Sequence, residues 1–104
     1  MDSELRRLLR LVTLNDEAAL SDVMSGRVPG GPSLDQKTKS LVIVAGLIAL
    51  DATTASLHAA VDNAFAAGAS DEEILEVVLA VAPVVGSSRI SAMLPRIQVA
   101  LDRD

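Results

Sequence analysis

Two segments of helix length, residues 41–50 and 74–85, carry almost no polar side chain, and each follows a sequence able to cap a helix. Neither alternates apolar with polar residues, so a half-solvated strand is excluded. Read as helices they are apolar on every side, and such a helix persists in water only when protein surrounds it. The class that follows is all-α, a compact multi-helix bundle. Half of the 104 residues are hydrophobic and one, Phe65, is aromatic, so Leu, Val, Ile and Ala must build the core. A single domain this short covers that much apolar surface with difficulty. The surplus predicts a partner surface, most simply a second copy of the chain.

The remaining helices are read from periodicity and punctuation. Leu5, Leu8, Leu9 and Val12 follow the spacing of one helix face, with Arg6, Arg7 and Arg10 on the other side, which predicts an amphipathic helix over 3–14. Asn15 can cap a short second helix that Gly26 ends. Val28-Pro29-Gly30-Gly31-Pro32 cannot hold a helical ladder. The chain therefore divides into an N-terminal arm (1–27), a linker (28–33) and core helices (34–104) of one domain. Ser33-Leu34-Asp35-Gln36 has the form of a capping box for a helix reaching about residue 50. Asp51 or Thr53 can cap the next helix, which puts Leu57, Val61, Ala64 and Phe65 on one face and ends at Gly68. Ser70-Asp71-Glu72-Glu73 is a second capping box. Ser87 or Ser88 can cap a last helix with Ile90, Met93, Leu94, Ile97 and Leu101 inward and a kink at Pro95.

Composition removes several function classes. The net charge is −5 and the nine basic residues are scattered, so no footprint for a phosphate backbone is present and nucleic acid is not an expected partner. There is no cysteine, hence no thiol catalysis, disulfide or thiolate metal site. His58 is the sole histidine, too little for a usual transition-metal site, and no cofactor is called for. The acidic start does not read as a secretory signal. The longest uncharged runs, 40–50 and 77–88, are well short of the roughly 20 residues a membrane-spanning helix needs, so no membrane partner is expected. The expected location is cytoplasmic.

Three stretches carry a resemblance: Leu34-Asp35-Gln36-Lys37-Thr38-Lys39, then 66–74 (Ala-Ala-Gly-Ala-Ser-Asp-Glu-Glu-Ile), then 79–86 (Leu-Ala-Val-Ala-Pro-Val-Val-Gly). Over the last two thirds of its length the chain resembles the carboxymuconolactone decarboxylase and alkylhydroperoxidase D-like family. The resemblance implies a homo-oligomer, a trimer or hexamer. In the redox branch of that family a C-x-x-C pair and a histidine work with a glutamate from the preceding helix. Counted back from Ala66-Ala67-Gly68, the thiol positions fall at Thr53 and Ser56, the histidine position at Ala60 and the glutamate position at Ser40. None of the four is retained, so dithiol peroxidase activity is not implied. The cysteine-free branch implies a lyase or isomerase acting on a small lactone or carboxylate.

Two residues can serve such chemistry. Thr54, His58 and Asp62 stand at i, i+4 and i+8, which sets a carboxylate one turn from the imidazole and suits a general acid or base. The plainer reading of His58 is a solvated or interface residue beside Leu57 and Val61. Arg89 follows two serines at a helix start and can anchor a substrate carboxylate. Its plainer reading is an ion pair with Glu73, Glu76 or a neighbouring subunit. Ser40, Thr53 and Ser56 can line the same cleft as substrate-binding hydroxyls, or be no more than helix-compatible spacers. Two functions remain: a cofactor-free lyase or isomerase with His58 as its acid–base group, or an oligomeric small-molecule-binding or assembly module that keeps the fold without catalysis.

Overall fold

The computed structural model describes residues 3–102. Among them the secondary structure is helical throughout: α1 (Ser3–Thr13), α2 (Glu17–Met24), α3 (Gln36–Ala49), α4 (Thr54–Ala66), α5 (Asp71–Val85) and α6 (Ser87–Leu101). The chain divides into two compact units, one up to Leu34 and one from Asp35. The Pro- and Gly-rich break at 28–33 thus falls at the end of the first unit.

In the first unit α1 and α2 pack on each other. Leu5, Leu8 and Val12 are half-buried and Arg7 and Arg10 are exposed, as the amphipathic spacing requires, but Leu9, expected on the same face, is 51% exposed and Leu11 is half-buried instead. Ala19 is the one fully buried hydrophobic residue described there.

The second unit holds the core. α4 packs against α3 and α6, and α5 packs against the same two helices. Val44 and Ile48 from α3, Leu57 and Val61 from α4, Ile74 from α5, and Met93 and Ile97 from α6 are its largest fully buried side chains. Truncating Leu57, Ile74 or Met93 to Ala would cost about 2–5 kcal/mol each. Gly86, at φ 90°, passes the chain from α5 into α6 through backbone space that an L side chain rarely occupies. α6 continues unbroken past Pro95.

Several sequence expectations are corrected. Asn15 does not cap α2: its φ of 59° places it in the left-handed region at the end of α1, and the extended Asp16 accepts from Ala19 N at 3.0 Å instead. Ser33 does not cap α3 either. Asp35, extended and anionic at the positive end of the helix, accepts from Thr38 N at 2.7 Å. Of the two candidates for α4, Thr53 is the cap, because Asp51 has φ 57° and so lacks the extended backbone a cap needs. Neither Ser87 nor Ser88 caps α6, which follows Gly86 with no side-chain cap bond. The Ser70 and Glu73 box forms in both directions.

The apolar segments are also less enclosed than their sequence requires. On α3 only Ser40, Val44 and Ile48 are buried, while Val42 and Ile43 are exposed; on α5 Ile74 and Val78 are buried, while Leu75, Leu79 and Val84 are exposed. Leu94 also faces out, and Ala100 occupies an inward position on α6 in addition to Met93 and Ile97.

Candidate functional site

A groove of about 580 Å³ runs along α3 and α4 in the second unit. Gln36, Ser40 and Ile43, spaced four and three residues apart, bring one face of α3 to it. Ser56, Ala60 and Asn63 do the same from α4, with further alanines of that helix completing the wall. No ionisable side chain lines it.

Ser40 is the one buried polar residue of the described chain, 3% exposed, in a wall it shares with the Ser56 hydroxyl, two carboxamides and aliphatic side chains. Its hydroxyl makes no hydrogen bond to another described residue, nor do the side-chain amides of Gln36 and Asn63. No sealed side-chain polar atom in the described residues lacks a partner, so the remaining access of the Ser40 hydroxyl is to the groove it lines. Thr53 caps α4 by accepting from Ser56 N at 3.2 Å, and its hydroxyl donates to Ser56 Oγ at 3.1 Å. That leaves the Ser56 proton available to a group in the groove.

The other sequence candidates lie elsewhere. His58 Nδ1 is 3.2 Å from Asp62 Oδ2, so the pairing read from the i, i+4 spacing is present, with both side chains nearly half exposed. The helical period turns these two away from the row formed by Ser56, Ala60 and Asn63, and neither lines the groove. Arg89 pairs with neither Glu73 nor Glu76. Its Nη1 lies 3.7 Å from Asp51 Oδ2, beside a shallow recess lined by Asp51, Ser88, Arg89 and Ala92. Among the described residues, His58 lines neither this recess nor the groove, and Arg89 lines only the recess.

Glu73 is engaged on α3. Lys37 Nζ sits 3.0 Å from its Oε2, while its Oε1 accepts from Ser70 N. The Lys37 hydrogen bond, then the bond from Ser70, hold the Glu73 carboxyl below its usual range, and the same Glu73 contact raises Lys37. Asp35 is lowered by its hydrogen bonds from Thr38. Sequence reasoning missed Arg96, whose Nη1 donates to Asp51 Oδ1 at 3.1 Å and to the Ala52 carbonyl at 2.8 Å, tying α6 to the turn before α4. It also missed Gln36 and Asn63. Their spacing from Ser40 and Ser56, four and seven residues, was the available signal.

A family model, the carboxymuconolactone decarboxylase family, matches residues 17–98. The chain belongs to that family. No curated protein and no solved structure matches it. Ser40, Ser56 and Ala60, which the sequence resemblance sets against the redox branch's glutamate, second thiol and histidine, all line this groove. Thr53, at the first thiol position, stands within hydrogen-bond reach of Ser56. Among the described residues no three His, Asp or Glu side chains are grouped to hold a metal ion, and no helix is long and apolar enough to cross a membrane.

Proposed function

We propose that this carboxymuconolactone decarboxylase family member is a homo-oligomeric small-molecule-binding protein, and that its ligand occupies the α3–α4 groove without acid–base or thiol chemistry there. One observation carries the reading: no side chain lining the groove ionises, its polar groups being the hydroxyls of Ser40 and Ser56 and the carboxamides of Gln36 and Asn63. Ser and Asn side chains neither transfer protons readily near neutral pH nor cycle through a disulfide. They orient a bound molecule. Exposed Val42 and Ile43 on α3 and Leu75, Leu79 and Val84 on α5 support self-association, since apolar surface of this kind is stabilised by cover. The test is a ligand screen read by backbone NMR. Shifts clustered at Ser40, Ser56, Ala60 and Asn63 support the groove, and ligands that shift only other regions would overturn it.

A second reading is favoured by the 3.2 Å contact of His58 with Asp62. In a cofactor-free lyase or isomerase acting on a lactone or related carboxylate, His58 would hold and move the proton, Asp62 would orient the imidazole and Arg89 would anchor the substrate anion. The half-exposed pair would need cover from a second copy to exclude water. In that case His58→Ala lowers turnover by about 10²–10⁴-fold in an intact assembly.

A further inference from the structure

We infer that the α3–α4 groove selects an uncharged carbonyl compound, of the amide, ester or lactone type on a short apolar skeleton, and discriminates against the corresponding carboxylate. The inference rests on the groove being the binding site, as proposed above.

The polar groups of the wall are all neutral. The Ser40 hydroxyl, which keeps access to the groove from an otherwise buried residue and has no protein partner among the described residues, and the Ser56 hydroxyl can donate to a carbonyl oxygen. The carboxamides of Gln36 and Asn63 supply both donors and acceptors. Between them lie Ile43 and Ala60, which suit a small aliphatic body. A carboxylate entering this groove gives up hydration and meets no cation lining it, and the pull of the α4 N-terminus at Ser56 on an anion is weak beside that loss. The nearby Lys37 is held by Glu73 at 3.0 Å, and the net charge of −5 repels anions at longer range. A cation fares no better, because the wall has no carboxylate and no aromatic face. Burying an unpartnered hydroxyl is unfavourable unless something bonds to it, and a neutral carbonyl does so without bringing charge.

The test compares a matched pair, cyclohexanecarboxamide and cyclohexanecarboxylate, titrated at neutral pH into the whole protein with backbone NMR as the readout. The amide should shift Ser40, Ser56, Ala60 and Asn63 and bind about tenfold or more tightly than the acid, because the acid loses hydration without gaining a counter-charge. Asn63→Lys, at an exposed position, should reverse the order by supplying that counter-charge. Ser40→Ala should weaken the amide by about tenfold. Groove binding of the acid equal to or tighter than that of the amide overturns the inference and leaves the groove as the site. So does an Asn63→Lys protein that still prefers the amide, or a Ser40→Ala protein with unchanged affinity. If neither compound shifts groove residues at millimolar concentration, the binding reading itself falls and takes the inference with it.

Discussion

The Thr53 and Ser56 hydroxyls lie 3.1 Å apart in the first turn of α4, Thr53 as the cap and Ser56 as the residue whose N–H it accepts. A pair of side chains so placed sits where unsatisfied backbone N–H groups favour negative charge. Thiols there would be activated, and near enough to join.

Thr53→Cys/Ser56→Cys should therefore oxidise to an intrachain disulfide with a mild thiol oxidant, whereas the unaltered protein should show no dithiol-dependent peroxide reduction. Thiol titration and intact mass before and after oxidation give the answer. Two persistently free thiols in a folded variant would show that the hydroxyl geometry does not carry over to sulfur.

Acid should loosen the α3–α5 junction. Asp35 and Glu73 both have folded-state pKa values lowered from their ordinary 3.8 and 4.5. Lowered carboxylates contribute stability that is present above the unfolded values and lost as pH falls through the folded ones. Lys37 is raised from 10.5, so its share is present below that value and lost as pH rises through the folded one. Between roughly pH 5 and pH 10 both contributions are in place. Thermal melts of the protein and Glu73→Gln should differ most in that window and converge only as pH falls through the lowered folded-state value of Glu73. A difference independent of pH would assign the effect of Glu73 to packing.

Local signals in the sequence fared better than choices between like residues. Ser70 and Glu73 announce the start of α5 because both halves of the box lie within four residues and nothing nearby competes. At 15–16 and at 33–35, two suitable caps stand close together. Backbone conformation decides between them: Asn15 is left-handed, and Asp35 brings a charge to the helix end. The segments 41–50 and 74–85 carry a single polar marker, Glu76, so the sequence established helices but not which side the core would take. Ser40 and Ser56 were reached through family resemblance. The bond from Arg96 to Asp51 crosses 45 residues and has no local pattern to reveal it.

The two arginines on Asp51 should differ in their effect on stability. Arg96→Ala removes a 2.8 Å bond to the Ala52 carbonyl and a charge-assisted bond to Asp51, and should cost about 1.5–3 kcal/mol. Arg89→Ala removes only a 3.7 Å contact between partly exposed groups and should cost roughly 0–1 kcal/mol. Urea denaturation of both variants measures the difference. Equal losses would mean that Arg89 holds more than Asp51.

Self-association should depend on the outward sides of α3 and α5, two helices that pack on each other and expose Val42 (58%) and Leu79 (71%). Each such side chain stabilises an interface by about 1.5–3 kcal/mol when fully covered, and a charge in its place must be desolvated. Leu79→Glu, and separately Val42→Asp, should convert an oligomer into a species near the 10.8 kDa of one chain. Both positions are exposed in the single chain, so the helical circular dichroism of the variants should survive if they fold without a partner. Sedimentation at micromolar concentration reads the mass. An unaltered protein that sediments as a monomer rules out the assembly, and with it the cover that His58 and Asp62 would need to work as an acid–base pair.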